Sequence, residues 1–247
     1  MTDAMWAGTV TITGHEGAEL EAYLARPLSE EPRGGVVVIH HLPGYDEATK
    51  EITRKFASRG FAAVCPNLFS REGRDVSPDD QAAAARAKGG VPDEQVVGDV
   101  AAAAGYLNSL DHANGKIGVI GYCSGGRQAF LVACSLRIDA AVDCYGGYVV
   151  KSTPPDSTIK MPSLLAKTPD LSCPLLGLFG AEDQAPSPEE VATLAAELDK
   201  HGKEYEFHSY DGAGHAFFAV DRPAYRPAAA TDGWKKVFGF FGRHLAA

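Results

Sequence analysis

Polar and apolar residues alternate in GTVTIT (8–13) and again in ELEAYLAR (19–26). This is the period-two pattern of strands with one face on a core, and it predicts an opening antiparallel pair. Further on, GVVVIH (35–40), FAAVCP (61–66), KIGVIG (116–121), AAVDCY (140–145) and PLLGLFG (174–180) are nearly continuous in apolar residues, as strands buried on both faces should be. EYEFHSY (204–210) follows as a last strand.

Helical patterns separate these runs. DEATKEITRKFASRG sets Ile52 and Phe56 four apart and stops at Gly60. In PDEQVVGDVAAAAGYLNSL, Val96, Val100, Ala104 and Leu107 recur at helical spacing. SPEEVATLAAELDKHG opens with Ser187 as N-cap, Pro188 in the first turn and Glu190 closing a capping box. TDGWKKVFGFFGRHL offers Trp234, Val237, Phe238 and Phe241 as one core-facing stripe. The succession predicts an α/β fold, a mostly parallel central sheet with helices on both faces. Lys151–Asp170 is the only long Pro/Ser/Thr-rich stretch and reads as an excursion within a single domain over residues 1–247.

Composition narrows the class. The chain has 247 residues, 45% hydrophobic and 22% charged, enough to bury a full core. A formal net charge of −9 argues against a nucleic-acid partner. The N-terminal stretch lacks the basic start and apolar core of a signal peptide, and no apolar run approaches membrane-spanning length. Cys65, Cys123, Cys134, Cys144 and Cys173 are odd in number and scattered, which fits neither a disulfide framework nor paired zinc knuckles. A cytoplasmic monomer or small homo-oligomer without cofactor or metal is the expectation.

In a parallel sheet, ligands sit outside the carboxyl ends of the strands, so residues just after strands carry the information. Gly121-Tyr122-Cys123-Ser124-Gly125 follows KIGVI and leads into GGRQAFLVACS, the G-x-nucleophile-x-G form of a strand–elbow–helix turn. The turn excludes side chains beside it, and the helix start favours a thiolate over a thiol. Ser124 is the competing nucleophile, but a frame centred on it would need glycine where Tyr122 stands. GYCSGG has neither the G-x-G-x-x-G nor the Gly-Lys-Ser/Thr spacing of a phosphate loop. Two further loops qualify: LLGLFGAEDQ offers Asp183, and EFHSYDGAGHAFF offers His215. The order Cys, Asp, His is that of α/β-hydrolase triads.

With GYCSGG, GAED and GAGHAF in place, the chain resembles the dienelactone hydrolase family of α/β-hydrolases over nearly its whole length. VVVIHHLPG and FAAVCPNLF resemble that family's first core strand with its loop, and its next strand. The resemblance implies Cys123 as nucleophile, His215 as base and Asp183 as the residue that orients it. The oxyanion donors would be the N–H groups of Ser124 and Leu42, since Pro43 has none to offer. The implied substrate is a small ester or lactone with a good leaving group. A free thiol has a pKa of about 8.5 and the parent acid of a simple alkoxide nearer about 15.7, so the thiolate leaves first unless the alcohol side departs as an enolate or phenolate.

The family pattern is not complete. Its glutamate beside the oxyanion donor is replaced by His41, preceded by His40. Of its substrate-gripping arginines, the one shortly after the catalytic histidine meets Ala219 four residues beyond His215, with Arg222 and Arg226 further on. Arg86 is the candidate for the other. His41, Tyr122, Arg86 and Arg222 are therefore the candidate substrate-binding residues. A metal reading of His40, His41 and Asp46 is disfavoured because adjacent strand residues point to opposite faces. An esterase or thioesterase with another acyl group stays open, as does a redox or binding role for Cys123. The latter would need a nearby resolving cysteine, and there is no C-x-x-C.

Overall fold

In a computed structural model, which describes residues 4–42, 44–73 and 75–246, one eight-stranded sheet runs through the chain. The strands are β1 (Met5–Thr13), β2 (Glu19–Pro27), β3 (Arg33–Ile39), β4 (Ala62–Pro66), β5 (Ala113–Tyr122), β6 (Ala140–Cys144), β7 (Leu175–Gly180) and β8 (Tyr205–Tyr210). Their spatial order is β1-β2-β4-β3-β5-β6-β7-β8. β1 and β2 pair antiparallel, β2 joins β4 antiparallel, and β3 to β8 run parallel. The expected opening pair and parallel centre are both present.

The helices are α1 (Glu47–Ala57), α2 (Pro78–Ala87), α3 (Asp93–Asn108), α4 (Ser124–Ala133), α5 (Pro188–Lys200) and α6 (Pro227–His244). They divide between two cores because side chains alternate along each strand. Val37 and Ile39 of β3 belong to one core with Val100 of α3, Phe130 of α4 and Leu194 of α5, whereas Val36 and Val38 belong to the other with Phe56 of α1 and Phe241 of α6. Phe56 is fully buried, with the rings of Trp234, Phe238 and Phe241 at 5.9, 5.6 and 5.8 Å. Truncating such a residue to alanine costs about 3–5 kcal/mol.

The α5 capping box forms as expected: Glu190 N–H donates to Ser187 Oγ (3.4 Å), and Ser187 N–H to Glu190 Oε2 (3.0 Å). Three details differ from expectation. Helix α2, N-capped by Ser77, lies in a stretch where the sequence pattern announces none. In α3 the buried stripe is Val96, Val100, Ala103 and Leu107, so Ala103 takes the place expected of Ala104. And α6 starts at Pro227, a turn ahead of the expected TDGWKK segment. Among the described residues no helix is long and apolar enough to cross a membrane.

Candidate active site

β5 lies at the middle of the parallel strands, and its carboxyl end turns into α4 at Cys123. Cys123 sits at φ 57°, ψ −122°, a conformation that L residues with side chains seldom adopt. It is fixed from both sides. Its N–H donates to Cys144 O (3.0 Å), and its carbonyl accepts from Gly126 N–H (3.0 Å). A β-carbon on Gly121 would stand 1.9 Å from Gly125 O, and one on Gly125 would stand 2.4 Å from Ile39 O. Both glycines of the pentapeptide are thus required by contact with backbone, which no side-chain motion relieves.

Asp183 follows β7 and is 2% exposed. Its Oδ1 accepts from Ala185 N–H (2.9 Å) and its Oδ2 bonds His215 Nδ1 (2.8 Å). His215 follows β8, and the two loops are tied by Glu182 N–H donating to Ala213 O (2.9 Å). With Nδ1 taken by the carboxylate, Nε2 is left for Cys123. Burial pulls the His215 pKa down, but its bonds to Asp183 and the adjoining Cys123 sulfur outweigh that and push it up to about 10. The Tyr145 ring lies edge-on to the imidazole at 5.1 Å and limits its rotation.

Cys123, Asp183 and His215 line one open cleft of about 850 Å³, together with Leu42 and Ser124. Ser124 is the first residue of α4, so its N–H has no acceptor within the helix. Cys123 is half-buried, while the other four cysteines are buried free thiols. Burial pushes Cys134 and Cys173 up to about 12, and Cys65 and Cys144 above the ordinary thiol range.

Four residues expected to touch substrate do not line this cleft. His41 turns its Nε2 to Asp46 Oδ2 (2.7 Å) and borders the two neighbouring cavities instead. Asp46 is the N-cap of α1, its Oδ1 accepting from Thr49 N–H and Oγ1 at 2.8 Å each. Burial alone would raise the Asp46 pKa, but these bonds and that from His41 hold it below the usual carboxylate range. Tyr122 is buried and points away from the cleft, its ring against Phe218 and Trp234. Arg86 is exposed on α2, and Arg222 is exposed on the loop after His215.

His40 is committed elsewhere. Its Nε2 accepts from Leu68 N–H (3.1 Å) and its Nδ1 donates to His41 O (2.9 Å), a neutral ring that burial holds down to about 4. It pins the loop that carries Leu42 to the chain leaving β4. His40 and His41 thus have separate partners, and among the described residues no group of three or more His, Cys, Asp or Glu is disposed to hold a metal ion.

Other parts of the site were not foreseen. Thr153, Ile159 and Met161, from the Pro/Ser/Thr-rich excursion, form one wall. That excursion is anchored by Arg127, which is 2% exposed and binds both Asp93 oxygens (2.9 and 3.1 Å) and Pro162 O (2.7 Å). Asp143 lies buried beneath the elbow, its Oδ1 accepting from Gly146 N–H (2.7 Å), and burial raises its pKa to about 7. A carboxylate in an otherwise apolar strand was the signal that could have exposed it.

Residues 20–245 match the model of the dienelactone hydrolase family, and the chain belongs to that family. It is 34% identical to a protein of Methylorubrum extorquens provisionally named carboxymethylenebutenolidase, over 100% of this chain and 84% of that one. It is 30% identical to a Bradyrhizobium protein provisionally named 2-oxo-3-(5-oxofuran-2-ylidene)propanoate lactonase, over 94% of this chain and 92% of that one. A crystal structure from Klebsiella pneumoniae, provisionally described as a dienelactone hydrolase, superposes with a TM-score of 0.84 at 29% identity, covering 98% of this chain and 100% of the other. The chain is a carboxylic ester hydrolase of the α/β-hydrolase fold, acting on a small-molecule ester or enol lactone.

Proposed function

We propose that the chain cleaves activated esters or enol lactones through a thioester on Cys123, with His215 as base and Asp183 orienting it. The observation that carries this reading is the His215 ring held through Nδ1 by buried Asp183, in the cleft that Cys123 enters. His215 takes the Cys123 proton, and Sγ bonds the substrate carbonyl carbon. The resulting oxyanion is met by the N–H groups of Leu42 and Ser124. When the carbonyl re-forms, the carbon–oxygen bond to the alcohol side breaks and the leaving oxygen takes the proton from His215. A water molecule, deprotonated by His215, then attacks the thioester. Thiolate leaves, the free acid departs, and the proton returns to sulfur.

The leaving-group argument supports enol lactones and aryl esters, and the relatives' names point the same way. Free thiols at all five cysteines agree with a reducing, cytoplasmic setting. The decisive experiment is acylation by p-nitrophenyl acetate. An acetyl group found on Cys123 by peptide mass mapping, and then lost with turnover, supports the mechanism. A reactive thiol that never accepts an acyl group would favour a redox or binding role.

A further inference from the structure

We propose that Asp143 is a positioning residue for Cys123, His215 and Asp183, acting through the turn that follows β6; this rests on the hydrolytic reading above. Tyr145, Gly146, Gly147 and Tyr148 make that turn, and it meets all three catalytic elements. The Tyr145 ring stands edge-on to His215 at 5.1 Å. A β-carbon on Gly146 would lie 2.4 Å from Arg127 N, in the first turn of α4, which begins next to Cys123. One on Gly147 would lie 2.9 Å from Ala185 O, on the loop where Ala185 N–H donates to Asp183 Oδ1. Gly147 and Tyr148 also line the cleft itself.

The backbone of this turn needs outside support. Tyr145 and Tyr148 sit at φ 45° and 63°, left-handed values that a bulky L residue seldom adopts. Two bonds hold it there: Tyr145 N–H donates to Leu178 O (2.9 Å), and Gly146 N–H donates to Asp143 Oδ1 (2.7 Å). Only the second depends on a side chain. Asp143 is 1% exposed and has glycine beside it on both neighbouring strands, Gly121 of β5 and Gly177 of β7. Its Oδ1 lies 2.3 Å from where a β-carbon on Gly126 would stand, so the carboxyl is wedged between α4 and the turn. Oδ2 is buried with no hydrogen-bond partner among the described residues. Burial favours the neutral acid, against the weaker pull of the Gly146 bond and of His215. What Asp143 supplies is therefore one buried acceptor for one strained turn, and the amide oxygen of asparagine can supply the same.

The test reads kcat and KM on p-nitrophenyl acetate, and separately the rate at which iodoacetamide alkylates Cys123. Asp143→Ala should lower kcat by about 100-fold with KM nearly unchanged, the scale of a small misplacement at a reacting centre. Asp143→Asn keeps the acceptor and should restore kcat to within about threefold of wild type. Tyr145→Asn removes the ring, tolerates the left-handed backbone, and should lower kcat by about tenfold or more. Asp143→Ala should then cost less in the Tyr145→Asn background than in wild type, because both act through one turn. Alkylation of Cys123 should follow the same pattern of loss and rescue, since its thiolate forms against His215. A merely structural role would lower Tm and leave kcat intact below it, and that result overturns the proposal. Failure of asparagine to rescue, or additive losses in the double variant, would overturn it as well. If Asp143→Ala does not fold, wild-type kcat in Tyr145→Asn is the overturning result. Should Cys123→Ala still hydrolyse the ester, the hydrolytic reading fails, and the alkylation rates alone decide whether Asp143 places His215 against the sulfur.

Discussion

His215–Asp183 and His41–Asp46 are histidine–aspartate pairs of almost the same length, 2.8 and 2.7 Å. They differ in which ring nitrogen meets the carboxylate. His215 uses Nδ1, and its Nε2 stays available at the cleft beside Cys123. His41 uses Nε2, and its aspartate spends the other oxygen on Thr49 at the start of α1. Burial differs too: the Asp183 side chain is 2% exposed and that of Asp46 30%. A paired histidine is thus no sign of catalysis. What distinguishes the first pair is the direction of its free nitrogen and the nucleophile it meets.

The sharpest way to break the comparison is to delete each ring. His215→Ala should lower kcat/KM on an activated ester by about 10,000-fold, since base and acid are lost together. His41→Ala should lower it by about tenfold or less, through looser placement of the Leu42 loop. Comparable losses from both would mean that the loop pair takes part in the chemistry.

Thiol reactivity is the next test. A thiol with a pKa of about 12 is ionised to about one part in ten thousand at pH 8, and thiolate is the reactive form. Limiting iodoacetamide should therefore label Cys123 about 1,000-fold faster than Cys134 or Cys173. Peptide mapping that finds even labelling would remove Cys123 from the nucleophile role.

The carboxylates should diverge as the rings do. Asp183→Asn leaves an amide that cannot stabilise the imidazolium and can impose the wrong tautomer, so kcat should fall by about 100-fold or more. Asn caps a helix about as well as Asp, so Asp46→Asn should leave kcat within about twofold. The same substitution at Asp183 carries a pH signature. The raised pKa lets His215 hold the proton it takes from Cys123 until that proton passes to the leaving oxygen, and this capacity is lost only as pH climbs through about 10. The alkaline limb of kcat/KM should lie there, and in Asp183→Asn it should move toward neutrality because one of the raising interactions is gone. A limb that stays put would mean that it belongs to another group.

Much of this molecule is legible in its sequence for a physical reason. Strands buried on both faces must be nearly all apolar, so β3 to β7 stand out as unbroken runs. The elbow is legible because Gly121 and Gly125 abut backbone, a demand that only glycine meets. Helix α2 is hidden because its alanine run has no polar–apolar period. The wall from Thr153 to Met161 is hidden because it comes from a loop whose position depends on Arg127, far away in the chain. His41 was legible as a residue beside the oxyanion loop. Its commitment to Asp46 depends on a ring direction that no spacing encodes. For Arg86 and Arg222, charge told nothing of which way the side chain faces.

The smallest expected effect concerns the stability that Asp46 supplies. Removing the N-cap by Asp46→Ala should cost about 1 kcal/mol, and for a chain of this length that lowers Tm by about 2–4 °C. The loss should depend on pH, with a sign fixed by linkage. The bonds from His41 and Thr49 depress the Asp46 pKa in the folded chain, so the unfolded chain binds its proton first as acid is added. The carboxylate's contribution is complete above the unfolded value of about 3.9 and fades as pH falls through the lower folded value. The Tm difference between wild type and Asp46→Ala should therefore be flat from pH 7 to about 5 and shrink below about 4. His41→Ala should reproduce part of that acid dependence, because it removes one of the groups that hold the carboxylate ionised. Thermal melts of the three proteins from pH 7 to 3 measure this directly. A gap that widens in acid would mean that Asp46 is bound more weakly in the folded chain than its contacts require.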